Sequence, residues 1–275
     1  MFDLLQYSFF SNALIGVLII SVAAAFIGTY IITRRLVAIS GGITHACFGG
    51  LGLGYYLGIS PIVMAAVFAI AASAGVEWMS QKCRVREDSA TAVVWALGMA
   101  VGVLFIFLTP GYVPELNAFL FGNVLTISST DLWIFAGYTI ILVLFFAFWG
   151  DSIISCAFDR DFARVSRLPV KVISYVMTAM VAVCIVLTIR LVGIMLLMSM
   201  LTLPQMIAEM FAPRFKTMVC LSMVISILCG VVGLFISAMI NAPCSAVIVI
   251  LMACMFVVGR VVLTLCKMQM QKKVK

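Results

Sequence analysis

The chain has 275 residues, of which 65% are hydrophobic and only 10% are charged, and its formal net charge is +7. Soluble domains contain about 45–50% apolar residues, so this composition excludes a soluble globular protein and indicates several membrane-spanning helices. The basic residues lie in short clusters between apolar runs, where they orient a membrane protein, and the positive charge therefore indicates no nucleic-acid partner.

A membrane-spanning helix requires about 20 mostly apolar residues, and the chain contains nine segments of this kind. We predict an all-α polytopic helix bundle in one transmembrane domain, residues 1–275, with spans at 9–33, 43–58, 62–80, 90–108, 132–149, 172–189, 192–210, 218–240 and 244–265. The second segment is short, and 109–131 has room for a re-entrant piece. Eight or ten spans therefore stay open as alternatives.

The Lys and Arg residues predict the orientation of these spans. With the C-terminal tail in the cytoplasm and an odd number of spans, 16 of the 17 basic residues lie on the cytoplasmic side and only Arg190 lies outside. The N-terminus and the 109–131 segment are then extracytoplasmic. The 150–171 segment becomes the largest cytoplasmic loop.

Motifs for catalysis are missing from the sequence. It has no GxxxxGKS or GxxxxGKT nucleotide-binding loop, no HExxH and no GxSxG, and its nine cysteines show no CxxC spacing. We therefore predict a subunit that is not an enzyme and that holds no permanent cofactor. Glu77 and Glu209 fall near cytoplasmic span ends, where we expect interfacial charges paired with a nearby base.

The second span carries a stripe of small residues. They recur every four positions, which places them on one face of a helix, where small side chains let neighbouring backbones approach closely. The stripe predicts a central helix whose packing positions are Gly42, Ala46, Gly50, Gly54 and Gly58.

His45 is the only histidine of the chain and lies within the same span. Gly41 and Gly49 lie one turn before and one turn after His45 on the same face of the helix. Because glycine has no side chain, we predict an open space beside the imidazole. Ionisable groups at membrane depth are costly and are often functional, which makes His45 a candidate ligand. Pairing with a backbone carbonyl or a hydroxyl of a neighbouring helix is the alternative.

The 150–171 loop has an amphipathic pattern. Phe158, Phe162, Val165 and Pro169 fall on one helical face and the arginines on another, and Asp159 is placed to cap the helix. This pattern predicts a short helix that either docks in a groove of a partner protein or rests on the membrane as an interfacial anchor.

Seven motifs, taken in order from Arg34 to about Leu251, resemble the permease subunits of ATP-binding-cassette importers for zinc, manganese and iron. No single motif is specific, but their order and spacing are. The motifs are Arg34-Arg35, GGITHACFGG, REDSATAVVWALGMAVGVLF, LFGNVLTIS, FDRDFARVSRLPV, RLVGIMLLMSMLTLPQMIAEM and NAPCSAVIVIL.

The resemblance implies a fold like that of type II importer permeases and a homodimer in the bacterial cytoplasmic membrane, surrounded by lipid. It also implies two ATPase subunits that bind ATP, an extracytoplasmic metal-binding protein, and a divalent metal ion as cargo. By the same resemblance His45 belongs to the translocation path, and the positions that couple to the ATPase are Phe158, Asp159, Phe162 and Ala163.

The sequence departs from the family pattern at several positions. Gly41 and Asn241 stand where the family usually has Asp, Gly49 where it has Pro, Ser245 where it has Gly, and Glu209 where a base is more common. Because imidazole suits zinc better than it suits manganese, we favour zinc, with manganese or iron as alternatives. A chelated cargo such as haem or a siderophore, and an ion-driven secondary transporter, are the rival functions.

Overall fold

The structure is a computed structural model that describes residues 7–83, 85–110, 127–212 and 214–274, with side chains through residue 265. Within these ranges all regular secondary structure is helical, which confirms the predicted all-α class. Most of the 109–131 segment lies outside the described residues. The helices are α1 (Ser8–Thr33), α2 (Val37–Leu57), α3 (Pro61–Lys82), α4 (Glu87–Leu108), α5 (Ser129–Phe158), α6 (Arg160–Val165), α7 (Val170–Phe211), α8 (Phe215–Ile240) and α9 (Cys244–Val274).

Helix α7 is long enough to cross a membrane twice. Eight helices in the described part of the chain are long and apolar enough to span a bilayer. The 42 residues of α7 correspond to about 63 Å, against about 30 Å for the hydrocarbon core. Gly193 interrupts this helix with φ 80° and ψ 171°, a backbone conformation that is essentially limited to glycine.

The chain reverses direction at Gly193. Arg34 donates at 3.3 Å to the Oγ of Ser174, which lies near the start of α7. Arg34 also lines the same cavity as Glu209, which lies near the end of α7. A straight helix would separate residues 174 and 209 by about 50 Å. Helix α7 therefore consists of two antiparallel halves, 170–192 and 194–211. The predicted polytopic bundle is confirmed, and the eight candidate spanning helices of the described ranges lie within the predicted eight to ten spans.

Pro204 in the second half of α7 has no backbone N–H to donate to the carbonyl of Met200. Gln205 replaces the missing bond, because its Nε2 donates to Met200 O at 3.1 Å and to Ala24 O of α1 at 2.8 Å. Both amide hydrogens of this fully buried side chain are thus used. The proline is accommodated, and α7 is fastened to α1 at this level.

The helices form two packing units. In the first, which we call the α2–α4 unit, α2 packs along α3 and α4, and α4 makes most of its contacts with these two helices. In the second, which we call the main unit and which comprises α1 and α5–α9, α1 packs against α5, α7 and α8. The two units meet chiefly where α7 packs against α2 and α3.

One end of the bundle, which we call the basic end, gathers the end of α1, the α3–α4 turn, α6 and both ends of α7. Side chains from these elements contact one another there, as in the bonds that Arg34 and Arg160 make to Glu87. Arg190 lies at the opposite end, 2.8 Å from Asp131 at the start of α5. This separation matches the charge pattern of the sequence, and the cytoplasmic placement of the basic end stays a prediction.

Two helices end at residues with left-handed backbone conformations. Gly58 ends α2 with φ 68°, and Asn241 ends α8 with φ 51°. Glycine adopts this region without steric cost, and asparagine visits it more readily than most residues. Asn241, one of the departures from the family pattern, therefore has a structural role at the end of α8.

Candidate functional site

His45 is half-buried on the face of α2 that packs against α4. Its ring stacks on Trp95, with ring centroids 4.5 Å apart and an interplanar angle of 3°. Its Nδ1 is buried and has no hydrogen-bond partner among the described residues. Because buried polar atoms are normally paired, this nitrogen is available to a ligand or a water molecule while the stack fixes the orientation of the ring.

The open space predicted beside His45 is present only on the side of Gly41. At Gly49 an added Cβ would lie 2.6 Å from the Phe68 ring and 3.0 Å from Gly98 O, so α3 and α4 already fill that position. At Gly41 an added Cβ would meet only Met198 Cε, at the ordinary contact distance of 3.4 Å. The prediction of open space at Gly49 is therefore wrong, and the free volume lies on the Gly41 side.

The second half of α7 borders this free side. Thr44 donates to Ser40 O at 2.7 Å and lies 3.7 Å from Met198 Sδ. The described residues contain no group of three or more His, Cys, Asp or Glu side chains that could hold a metal ion. An ion at His45 would therefore need ligands from water or another chain to approach the three or four protein ligands of a tight zinc site.

The small residues of α2 meet the backbones of both neighbouring helices. Gly42 faces Thr91 of α4, and Gly98 of α4 faces Ala46. Gly50 and Gly54 face α3, where an added Cβ would lie 2.6 Å from Ala65 Cα and 2.7 Å from Pro61 Cα respectively.

Gly58, the fifth position of the predicted stripe, differs from the other four. No described atom lies within 4 Å of the position that its Cβ would take. Its left-handed conformation ends α2, and its N–H donates to Tyr55 O at 3.3 Å. The prediction of a packing position at residue 58 is thus replaced by a helix cap.

Two aromatic side chains project from the basic end where α5 meets α6: Phe158 is the last residue of α5, and Phe162 lies on α6. Phe158 and Phe162 are 62% and 61% exposed, whereas Ala163 is fully buried against the bundle. Asp159 caps the helix, because its Oδ1 accepts from the N–H groups of Asp161 and Phe162 at 2.9 and 3.0 Å. The four residues predicted to couple to an ATPase are thus brought together where α5 meets α6: Phe158 and Phe162 are exposed, Asp159 caps α6, and Ala163 is buried.

A cavity of about 880 Å³ opens beside this element at the basic end. It is bordered by the end of α1, the start of α2, the end of α5 and the α7–α8 turn, and Arg35 and Glu209 line it. The interpretation of Glu209 as an interfacial charge paired with a nearby base stays a prediction.

Reasoning from the sequence missed a charged cluster at the same end. Glu77 and Glu87 of the α2–α4 unit lie beside Arg34 and Arg160 of the main unit, with Ser174 between them. The expectation that Glu77 pairs with a nearby base holds, since Arg160 Nη2 is 3.5 Å from Glu77 Oε1. The only sequence signal was the presence of opposite charges at predicted span ends, and nothing in it matched one partner to another.

The family comparison covers nearly the whole chain. The model described as "ABC 3 transport family" matches residues 6–263. The chain is 32% identical over 260 residues to the uncharacterized membrane protein slr2045 of Synechocystis sp., covering 94% of this chain and 92% of that protein. It is 28% identical over 254 residues to the manganese transport system membrane protein MntC of Halalkalibacterium halodurans, covering 92% and 87% respectively.

The structural comparison agrees over the same length. PsaBC from Streptococcus pneumoniae, solved in complex with Fab, is similar with a TM-score of 0.82 and 27% sequence identity. The similarity covers 94% of this chain and 93% of that chain. The similarity to a solved structure thus extends over nearly the whole chain.

Proposed function

Because the chain belongs to the ABC 3 transport family, we propose that it is the membrane-spanning subunit of an ATP-driven importer of divalent metal ions. The observation that carries the proposal is the buried Nδ1 of His45, which has no hydrogen-bond partner among the described residues. His45 lies on α2, the central helix of the α2–α4 unit, and its ring is oriented by the stack on Trp95 of α4. A neutral imidazole nitrogen is a common ligand for transition-metal ions. Relatives named as manganese transport membrane proteins support the same cargo class.

The identity of the ion is a choice between zinc and manganese. The imidazole of His45 and the glycine at position 41 favour zinc, because manganese prefers oxygen ligands. Two relatives, the manganese transport system membrane protein MntC of Halalkalibacterium halodurans and the manganese import system permease protein ScaB of Streptococcus gordonii, favour manganese. We propose that the subunit transports both ions. Uptake of each ion in competition with the other measures which one is preferred.

The subunit couples to ATP through α6 and not through a nucleotide site of its own. Phe162 on the capped, six-residue α6 and Phe158 at the end of α5 are both exposed, and such aromatic side chains are suited to a groove on a separate ATPase subunit. The complete assembly that we propose has two copies of this chain, two ATPase subunits and an extracytoplasmic metal-binding protein. The chain forms one transmembrane domain, residues 1–275, in the cytoplasmic membrane of a bacterium.

Uptake into proteoliposomes tests the function directly. The complex with its ATPase subunits is reconstituted, the metal-binding protein is supplied on the outside, and zinc and manganese are offered singly and in competition. We expect uptake that requires ATP and that saturates with metal. Uptake driven by an ion gradient without ATP would establish a secondary transporter, and uptake of haem or a siderophore without free metal would establish the chelated cargo; either result contradicts the proposal.

Cysteine labelling tests the orientation on which the coupling depends. In a chain without its native cysteines, Ser166→Cys next to α6 should not react with a membrane-impermeant reagent in intact cells, because 16 of the 17 basic residues predict a cytoplasmic location for that end. A cysteine at Ser128, at the opposite end, serves as the reactive control. Labelling of residue 166 in intact cells would reverse the topology and remove α6 from the reach of ATPase subunits.

A further inference from the structure

The charged cluster at the basic end is built around the hydroxyl of Ser174. Ser174 Oγ donates to Glu77 Oε1 at 2.7 Å and accepts from Arg34 and Arg160, both at 3.3 Å. Arg160 also reaches Glu87 Oε1 at 3.4 Å and Glu77 Oε1 at 3.5 Å. Two acids and two bases thus balance in charge around one hydroxyl group.

The acids and the bases come from different packing units. Glu77 lies near the end of α3 and Glu87 begins α4, so both carboxylates belong to the α2–α4 unit that carries His45. Arg34 follows α1, and Arg160 is the first residue of α6. The cluster is therefore an electrostatic connection across the junction of the two units and not a reinforcement within either one.

Burial makes the loss of one partner from this cluster more costly than in a surface ion pair. The side chains of Arg34 and Glu77 are 6% and 7% exposed, and those of Arg160 and Glu87 are both 29% exposed. Removing one partner of a buried pair leaves an uncompensated charge, which is far more costly than losing an exposed pair. Helix α6 contains a second ion pair, between Arg164 and Asp161 at 2.9 Å. Both of these side chains are largely exposed, and both belong to α6 itself.

The two arginines differ in how firmly they hold Glu87. Arg160 Nη1 is 3.4 Å from Glu87 Oε1, whereas Arg34 Nη2 is 3.9 Å away. Arg34 also donates to the hydroxyl of Tyr30 at 2.9 Å, so it keeps a partner when the acids move. A displacement of α6 would therefore draw Glu87 along with Arg160 and leave Arg34 with the main unit, whereas Glu77 is held both by Arg160 and by Ser174 of α7.

From this arrangement we propose that Arg160 is a positioning residue that transmits a displacement of α6 to the α2–α4 unit and so to His45. The proposal rests on the function given above, in which an ATPase displaces α6. It explains why the same short helix carries both the exposed Phe162 and the contact of Arg160 with the buried Glu77. The cargo never touches Arg160, which acts only through Glu77 and Glu87.

The first test compares Arg160→Met with Arg164→Met in the reconstituted complex. The measured quantity is metal transported per ATP hydrolysed, since loss of transmission separates hydrolysis from transport. We expect this ratio to fall about tenfold in Arg160→Met, which lies within the usual range of coupling between sites, while assembly with the ATPase is retained. Arg160→Lys, which keeps the charge but not the planar guanidinium fork, should give an intermediate ratio, and Arg164→Met should match the wild type.

Two outcomes overturn the proposal. The first is a wild-type ratio in Arg160→Met. The second is a wild-type ratio in Glu77→Gln, which removes the charge but keeps an oxygen that can accept from Ser174. This isosteric variant decides the question if Arg160→Met fails to fold, because it should lose coupling to a similar extent.

A readout that does not depend on the cargo separates this proposal from the proposed function. Spin labels are placed on Val93→Cys of α4 and Val257→Cys of α9, both exposed, in a chain without native cysteines. ATP should change the distance between these labels in the wild type and in Arg164→Met, but not in Arg160→Met. If no metal is transported while this pattern holds, the proposed cargo is wrong and the role of Arg160 stands. An equal change in all three proteins overturns the role of Arg160.

Discussion

The contacts within the α2–α4 unit differ in kind from the contacts between that unit and the rest of the molecule. Within the unit, glycines bring backbones together: Gly102 of α4 faces the backbone of Phe48, and Gly98 faces that of Ala46. Between the units, the contacts are made by long side chains, such as Met198 against Gly41 and Arg160 against Glu87.

This difference indicates where the molecule can change shape. Closely packed backbones cannot separate without opening voids, because protein interiors are close-packed. Side-chain contacts can exchange partners at smaller cost, and interfaces of this kind are where packed elements shift against each other. We infer that the α2–α4 unit moves as one body and that the junction with the main unit is the place of movement.

The largest effect is expected from Gly50→Ala inside the α2–α4 unit. The added Cβ would lie 2.6 Å from Ala65 Cα, and the backbone of α3 cannot yield as a flexible side chain would. Overpacking costs about 1–3 kcal/mol, so the thermal midpoint in detergent and the yield of folded protein should both fall. Gly75→Ala on α3 is the matched control, since no described atom lies within 4 Å of its Cβ position. Equal stability of the two variants would contradict rigid packing.

The next effect concerns the exposed side of α6. Truncating a buried aromatic anchor at an interface commonly costs about 2 kcal/mol or more, so Phe162→Ala should weaken binding of the ATPase subunit by roughly 30-fold. Binding is measured with the purified chain in detergent. Phe148→Ala, which removes an exposed aromatic side chain within α5, should bind normally. Unchanged affinity in Phe162→Ala would leave α6 as an interfacial anchor.

A smaller effect is expected at His45. His45→Ala removes the unpartnered Nδ1 and should reduce metal uptake severalfold, without changing insertion or basal ATPase activity, because one ligand among several is lost. Trp95→Phe keeps an aromatic ring for the stack and should transport close to the wild-type rate. Wild-type uptake by His45→Ala would make the histidine a packing residue and would favour the chelated cargo.

Gly41→Asp tests the same site by adding a possible metal ligand instead of removing one. The Gly41 side has room, because the nearest described atom to an added Cβ is Met198 Cε at 3.4 Å. A carboxylate one turn from His45 adds a hard oxygen ligand, so metal should bind more tightly and manganese should gain more than zinc. Calorimetric titration with both ions measures the change. Equal affinities in the variant and the wild type would place the ion elsewhere.

The smallest effect is expected from Gly58→Ala. A residue with a Cβ at φ 68° is strained by about 1 kcal/mol, but no described packing contact is affected. The thermal midpoint should fall slightly while uptake is unchanged. A loss as large as that of Gly50→Ala would mean that Gly58 packs against another helix after all.

The sequence predicted the features that depend on local chemistry. Nine apolar segments, the cap by Asp159 and the close packing at Gly42, Gly50 and Gly54 all follow from periodicity and residue type. The bounds of the spans were less exact, since α5 extends from Ser129 to Phe158 whereas the predicted span covers 132–149. Apolar composition identifies the part of a helix inside the membrane and not the turns that extend beyond it.

The features that depend on tertiary contacts could not be predicted. Phe68 fills the space at Gly49 from another helix, and Arg160 meets Glu77 across 83 positions of sequence. Neither contact has a local signature, because one sequence gives no information on which helices are neighbours. The stack of His45 on Trp95 is of the same kind, and it determines which side of the imidazole stays free.

The most direct test of two units that move against each other compares two pairs of spin labels in complexes that contain one labelled copy. Val67→Cys and Val103→Cys lie on α3 and α4 within the α2–α4 unit, whereas Val93→Cys and Val257→Cys span the two units; all four positions are exposed. On addition of ATP, the distance between residues 93 and 257 should change and the distance between residues 67 and 103 should stay constant. A change between residues 67 and 103, or no change between residues 93 and 257, would contradict the rigid movement of the α2–α4 unit.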